Sequence, residues 1–400
     1  MSAPKGWKWG MLGDVAEINS SSLPENQNPE FEFGYLDLGS IEQGKFALPT
    51  SRIKFNESPS RARRLFERGD ILMATVRPNL GGHGYVNFDS NGYVCSTGFA
   101  VLHPKRGVDG GFIYQTLFSP WFLKQYTWLT SGSSYPALNS SQVAELEMLV
   151  PPEGEQRAIA TLLNFCDKTV QILEALLLAK NRRKQGMMQQ LLTGKTRFKK
   201  FGNESWRAVQ IGSLLEECDR YVDWSDDTAY RFASIRRRSG GLFDRGTFYG
   251  REVKTKVLKL LKAGDFLISK RQVVHGAWAM VTKPFGSFGV SDEYDVLVNR
   301  DPKALDMRFF NYLSQTRRLW HMAYLASNGV HIEKLIFDFD DFAKEKVKIP
   351  PTAEEQVKIA DVLTACDGEI ELLEKQLEAL KEQKCGLMQK LLTGEVRVKI

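Results

Sequence analysis

One stretch of this sequence is written twice. Glu155-Gln156, Ile159-Ala160, Leu163 and Cys166-Asp167 return 200 residues later as Glu355-Gln356, Ile359-Ala360, Leu363 and Cys366-Asp367. The match continues without a gap through Leu173-Glu174, Leu177, Lys184, Gly186, Met188-Gln189 and Leu191-Leu192-Thr193-Gly194. Of the 40 pairs between 155–194 and 355–394, 19 are identical, at one fixed offset. Weaker echoes lie upstream: Trp7–Gly13 parallels Trp206–Gly212, Gly69–Leu72 parallels Gly264–Leu267, and Ser96–Leu102 parallels Ser291–Leu297. The chain therefore divides into a divergent segment (1–150), a matched one (151–200), a second divergent one (201–349) and the second match (350–400). Two copies are too few for a solenoid, which stacks at least about three small units. Two large copies predict a pseudo-twofold protein that does one task at two places.

The matched segments read as long helices. Apolar residues fall at Ile159, Leu163, Cys166, Val170, Leu173 and Leu177, and again at Ile359, Leu363, Cys366, Ile370, Leu373 and Leu377. Steps of four and three alternate, which makes a heptad seam. Pro151-Pro152 and Pro350-Pro351 end the preceding strands, Thr352 with Glu355 reads as a capping box, and Gly194 and Gly394 read as C-terminal caps. At about 1.5 Å per residue, positions 155–193 make a rod of roughly 57 Å. Such a rod is too long for its own globule to cover, so each seam is expected to pair with the other. An antiparallel register that aligns Ile159 with Leu391 puts Lys184 near Asp367 and Lys384 near Asp167.

The divergent segments read as short strands followed by a helix. In the first, strands fit Phe33–Leu38, Asp70–Val76, Gly84–Asn87, Phe99–Leu102 and Glu147–Val150, with one helix over Gly111–Leu129. In the second, strands fit Tyr230–Ile235, Asp265–Ser269, Ala277–Thr282 and Val296–Asn299, with one helix over Met307–Ala326. The expected fold class is α+β. It comprises two similar mixed α/β globules separated by two long helices that form an antiparallel coiled coil, with a pseudo-twofold internal repeat.

Composition narrows the classes. Hydrophobic residues at 42% and charged residues at 26% exclude a disordered chain, a collagen-like fibre and a disulfide scaffold. Apolar runs such as Ile172–Ala179 fall far short of the roughly 20 residues that cross a bilayer, so no membrane is expected. The first residues carry no apolar run and do not read as a secretory signal. Five cysteines without a CxxC pair fit a reduced, cytoplasmic protein. The net charge of +6 permits a polyanionic partner. Neither globule is strongly basic, so a nucleic-acid face has to come from clusters. Arg61, Arg63, Arg64 and Arg68 form one, Arg236-Arg237-Arg238 another, Lys254, Lys256, Lys259 and Lys262 a third, and Lys270-Arg271 a fourth.

Catalytic patterns are missing from the sequence. Neither Pro-Pro pair belongs to the Asn/Asp-Pro-Pro-aromatic loop of a base methyltransferase. Gly194-Lys195-Thr196 resembles the end of a phosphate loop, yet Gln189 stands where its first glycine belongs. Gly81-Gly82-His83-Gly84 reads as a flexible turn, and the five histidines are scattered without metal-ligand spacing. Cys166 and Cys366 read as small apolar packing on the seam. The chain is expected to be a binder, with no catalytic residues and no metal or cofactor of its own.

Pro-Pro, then Glu-Gln-x-x-Ile-Ala, a long helix and Leu-Leu-Thr-Gly, repeated after divergent halves, resembles the DNA-specificity subunit of type I restriction–modification systems. The Trp7–Gly13 and Trp206–Gly212 openings and the Gly-Asp-hydrophobic pairs match as well, so the resemblance covers essentially the whole chain. It implies that the divergent segments are two target-recognition domains, each reading half of a split, asymmetric sequence in double-stranded DNA. It implies helices that space them and dock two modification subunits, which bind S-adenosylmethionine and methylate adenine. A restriction (motor-nuclease) subunit is an optional further partner. The specificity subunit itself is non-catalytic.

Arginine can fork onto guanine, Asn or Gln can pair with adenine, and Arg and Lys otherwise hold phosphates. On that chemistry the DNA-binding candidates in the first domain are Arg61, Arg63, Arg64, Arg77, Ser134, Tyr135 and Asn139. In the second they are Arg236, Arg237, Arg238, Lys270, Arg271, His275, Asn328 and His331. Two other readings stay open on the residues alone: a self-contained DNA methyltransferase or nuclease, and a scaffold whose globules bind protein.

Overall fold

The structure, a computed structural model, describes residues 3–42, 44–130, 136–202 and 204–399. It resolves into two compact units, Met1–Ala175 with Glu374–Ile400, and Leu176–Leu373. The division falls within both long helices, Glu153–Leu191 and Ala353–Leu392.

Among the described residues the first unit holds four sheets, the smallest a hairpin of Ile41–Glu42 with Lys45–Phe46. Lys8–Met11 pairs antiparallel with Glu147–Val150, which brings the two ends of the divergent segment together. One four-stranded sheet runs in the order Ala16–Ile18, Phe99–Pro104, Ile71–Ala74, Gly84–Tyr85. The other runs Ile53–Lys54, Glu32–Leu36, Tyr93–Ser96, Ala62–Arg64, with its central pair parallel. The second unit repeats this plan. Arg207–Gln210 pairs with Lys346–Ile349, and one sheet runs Leu215–Glu217, Tyr294–Asn299, Phe266–Ser269, Trp278–Met280. The other runs Leu242–Tyr249, Ala229–Ile235, Gly289–Val290, Lys259–Leu260, again with a parallel central pair. Its outer hairpin is much longer than that of the first unit, eight residues at Leu242–Tyr249 against two at Ile53–Lys54.

The single helix expected in each globule is broken in two. Gly110–Thr116 is followed by Pro120–Thr130, because Pro120 cannot continue a helix but can start one. Met307–Ser314 is followed by Arg317–Leu325, and Thr316 between them takes the cap position, accepting from the Leu319 amide. The capping box expected of Thr352 and Glu355 is also displaced, because the Glu355 carboxylate turns onto Arg197 instead.

In each unit the end of one long helix packs beside the start of the other, and the two run antiparallel. In the first unit Glu155 meets Arg397, Asp167 meets Lys384 and Glu174 meets Lys381. In the second Lys180 meets Glu369, Lys184 meets Asp367 and Arg197 meets Glu355. Both expected lysine–aspartate pairs are present. Along the seam Ile159, Leu163, Cys166, Ile359, Leu363 and Ile370 are buried, while Val170, Leu173, Leu177, Cys366, Leu373 and Leu377 are half-buried. The ends of the seam are not a free-standing rod. Ile159 and Leu163 join Met388, Leu391 and Leu392 in the core of the first unit, with Phe112, Ile113 and Leu12. Ile359 and Leu363 join Leu191 and Leu192 in the core of the second. The repeated Leu-Leu-Thr-Gly closes each helix: Gly194 (φ +69°) and Gly394 (φ +70°) take the left-handed turn that favours glycine. No helix of the described residues is long and apolar enough to cross a membrane.

Candidate nucleic-acid interface

The repeated motif residues are the joints that hold each globule to its helices. Gln156 accepts from the Asp109 amide at 2.9 Å, and Asp109 caps the helix Gly110–Thr116. Gln356 accepts from the Asp306 amide at 2.9 Å, and Asp306 caps Met307–Ser314. Glu155 accepts from Trp7 Nε1 at 3.1 Å and from Arg397 Nε at 2.7 Å. The Arg397 side chain holds the Glu155 carboxyl below the usual glutamate range. Arg197 forks onto the buried Glu355 at 2.9 and 2.7 Å. Each arginine follows one long helix and grips the first turn of the other. Asp167 accepts from Gln115 at 2.8 Å as well as from Lys384, and Asp367 accepts from Tyr312 at 2.6 Å as well as from Lys184. Arg197, Arg397, Gln115 and Tyr312 were not singled out from sequence. The arginines could have been, since both stand three residues after the repeated Gly194 and Gly394.

Above these joints both units share one backbone frame. In the first, Thr75 donates its amide to Gly98 at 2.9 Å and accepts from Leu138 at 2.9 Å. In the second, Lys270 donates to Glu293 at 3.0 Å and accepts from Phe337 at 2.9 Å. Gly69 and Asp70 exchange bonds with Val86, as Gly264 and Asp265 do with Val281. A short 3-10 turn follows in both, Pro78–Leu80 and Val273–His275, and each ends on a left-handed glycine, Gly81 or Gly276. Sequence identity is low across these stretches, yet these hydrogen bonds recur in both units.

The frame gathers the candidate residues of the second unit. Arg238 donates its amide to His275 at 2.7 Å, and Ser239 donates to Gly276 at 2.8 Å. The arginine turn therefore lies against the half-buried His275. Lys270 anchors Phe337, the last residue of the hairpin that carries exposed Asn328 and His331. Their roles differ. Lys270 is paired to buried Asp295 at 3.0 Å, and burial pushes that carboxyl up. Arg271 is paired to Glu293, and Arg236 stacks on Phe243 at 4.9 Å. Arg237 and Arg238 are exposed, and neither side chain has a partner among the described residues. Of the third lysine cluster, Lys259 is buried against Asp219 at 2.7 Å, so that cluster is partly internal.

In the first unit Arg77 is exposed, donates its amide to Pro136 at 2.8 Å, and rims a cavity with Leu38, Ile41, Val76 and Leu80. Arg61 is exposed, its carbonyl accepting from the Thr97 amide beside Gly98 of the frame. Two neighbours are less available. Arg63 lies over the Phe55 ring at 4.7 Å, and Arg64 is half-buried. Asn139 caps the helix Ser140–Ala144 through its side-chain oxygen, which is thereby engaged within the fold. Ser134 and Tyr135 lie outside the described residues.

Two histidine readings change. His83, expected in a flexible turn, is fully buried, with Nδ1 accepting from the Ala74 amide at 3.1 Å. Burial pulls its pKa down to about 4. His103, scattered in sequence, meets Asp70 at 2.8 Å and Glu67 at 3.3 Å. The corresponding Asp265 is paired to Arg220. His103 and Arg220 are thus alternative partners for the same buried carboxylate.

Comparison with known proteins agrees with this geometry. The profile of the type I restriction modification DNA specificity domain matches twice, at residues 4–179 and 203–382. The MjaVIII type I restriction enzyme specificity subunit of Methanocaldococcus jannaschii is 22% identical over 100% of this chain and 95% of its own. The putative MjaX specificity subunit of the same organism is 28% identical over 99% of this chain and 95% of its own. In fold, the chain is similar to the HsdS subunit from Thermoanaerobacter tengcongensis, at TM-score 0.54 and 23% identity over 99% of both chains. It is also similar to the type I restriction–modification S subunit from M. genitalium, at TM-score 0.60 and 14% identity over 98% of this chain and 99% of that one. With both halves matched and the frame duplicated, the chain belongs to the type I restriction–modification DNA specificity family.

Proposed function

We propose that this chain reads a split, asymmetric sequence in double-stranded DNA, one half-site per globule. It hands that duplex to two modification subunits docked on the long helices, and a restriction subunit can join the same assembly. The modification subunits carry S-adenosylmethionine and methylate adenine, while this chain binds and orients. The observation that supports the reading is the duplicated backbone frame with different side chains at its rim: Arg61 and Arg77 in one unit, Arg237, Arg238, Asn328 and His331 in the other. Equal frames present unequal rims, so two unequal half-sites follow. Arginine and asparagine are the side chains that discriminate base edges, and unpaired arginines also neutralise phosphate.

The test is methylation mapping on randomised duplexes with the assembled complex. The expected product is N6-methyladenine within a two-part motif with a fixed gap. Purified specificity chain with DNA and S-adenosylmethionine, but without its partners, should transfer no methyl group. Methylation by the chain alone would make it an enzyme in its own right.

A further inference from the structure

Four residues other than glycine hold a left-handed backbone among the described residues: Asn19, Arg77, Arg238 and Ser239. Asparagine tolerates that conformation, while arginine rarely adopts it, because its Cβ crowds the following carbonyl. Yet Arg77 stands at φ 48° and Arg238 at φ 57°, one in each unit. Each is held there by its own amide, Arg77 to Pro136 at 2.8 Å and Arg238 to His275 at 2.7 Å.

Both also border the 3-10 turn of the duplicated frame, at opposite ends. Arg77 is the residue that enters the 3-10 turn Pro78–Leu80. Arg238 is bonded to the last residue of the corresponding turn, Val273–His275. The two arginines come from unrelated stretches of sequence. The residue that enters the turn in the second unit is Gln272, at φ −122°, and its arginine arrives from the hairpin Ala229–Ile235 to Leu242–Tyr249. The hairpin turn has three left-handed positions; Gly241 fills one, while 238 and 239 carry arginine and serine. Arg63, Arg236, Lys270 and Arg271 are engaged within the fold, by a ring or a carboxylate. Arg77 and Arg238 are exposed, and their side chains have no partner among the described residues.

We infer that Arg77 and Arg238 are the base-reading arginines of the two half-sites, each aimed by a strained backbone that the fold would otherwise avoid. Strained conformations persist where surrounding bonds over-determine them, and such sites concentrate where a side chain needs fixed aim. A fixed aim suits the forked contact of guanidinium to the O6 and N7 of guanine, which tolerates little misalignment. A phosphate contact would need no such restraint. This inference rests on the DNA-reading function proposed above.

The experiment compares the assembled complex carrying wild-type chain, Arg77→Asn or Arg238→Asn, by methylation mapping on a randomised duplex library and by thermal unfolding of the specificity chain. Asparagine relieves the backbone and removes the fork. Arg77→Asn should lose the guanine preference at one base pair of one half-site, and Arg238→Asn at one base pair of the other. Discrimination at that position should fall about ten- to a hundredfold while the rest of the motif is kept. Both variants should melt higher, by roughly 2 °C, the mark of strain kept for function. An unchanged motif in both variants would overturn the inference, and so would a uniform drop in methylation with the motif intact, which is a phosphate contact. A lower melting temperature in both would remove the strain argument and overturn it too. A wild-type complex without a two-part motif would instead overturn the DNA-reading function, and this inference with it.

Discussion

Lys184, on the first long helix, is ion-paired to Asp367 on the second, and the other oxygen of that carboxylate accepts the Tyr312 hydroxyl at 2.6 Å. Burial first, and the carboxylate next, push the Tyr312 phenol up, so it stays a donor. One aspartate thus ties a lysine of one repeat, its own helix and the helix Met307–Ser314 of the globule. Asp167 does the same in the first unit with Lys384 and Gln115. The Cys-Asp pair in the repeat is a three-way joint.

A double-mutant cycle on Lys184→Ala and Asp367→Ala should therefore show coupling. Asp367 is 42% exposed, so the pair itself is worth about 0.5–1 kcal/mol and weakens at high salt. Asp367→Ala alone should be the larger loss, because it also removes the charged acceptor of the Tyr312 hydroxyl and leaves it only Thr364 Oγ1 at 3.2 Å. Urea unfolding of the single and double variants measures both.

Removing Arg397 should destabilise the first unit rather than the second, since its partner Glu155 lies there. The loss is about 1–3 kcal/mol, because Glu155 keeps a buried carboxylate with only the Trp7 donor. The folded carboxyl titrates below its ordinary value of 4.5, so its stabilisation is full above that pH and is lost as pH falls through the lowered folded value. Wild type should lose stability more steeply than Arg397→Ala in that acid window. Parallel acid titrations followed by circular dichroism would reveal equal slopes if the pairing is inert.

His83 gives a second pH signature, at milder acidity. Its folded pKa lies near 4 while the unfolded imidazole titrates at 6.5. Between those values the unfolded chain holds the extra proton, so stability falls as pH drops from 6.5 towards 4, by about 3 kcal/mol in all. Imidazole resonances should show no titration at His83 from pH 8 to 5.

Gln156→Ala and Gln356→Ala should each loosen one globule from its helix. Gln156 accepts from Asp109 and donates to the Pro151 carbonyl, and Gln356 accepts from Asp306 and donates to the Ala304 carbonyl. Both glutamines are buried, so each loss should be about 2–3 kcal/mol. Hydrogen exchange should quicken in Gly110–Thr116 for the first variant and in Met307–Ser314 for the second.

How far the sequence could be read followed from what each residue does. The helices and their antiparallel register were legible because periodic apolar residues and two lysines in the seam admit few pairings. The repeat was legible because joints such as Gln156 and Gln356 need one residue type in one place. The break at Pro120 could have been seen; the break before Arg317 depends on Thr316 acting as a cap, which leaves only a weak trace in sequence. The rim was hardest. A cluster such as Arg236–Arg238 looks uniform in sequence, yet Arg236 stacks on Phe243 while Arg238 turns left-handed onto His275. Asn139 looked like a base reader and is a helix cap.

The bonds of the shared frame, at Thr75, Gly98 and Leu138 and at Lys270, Glu293 and Phe337, run between peptide groups. Every amino acid but proline brings the same amide and carbonyl, so this lattice is otherwise blind to which side chains decorate it. Threonine can stand where lysine stands, and glycine where glutamate stands, with the same bonds made. Evolution can therefore rewrite what such a protein recognises one surface residue at a time, without ever reopening the question of how it folds.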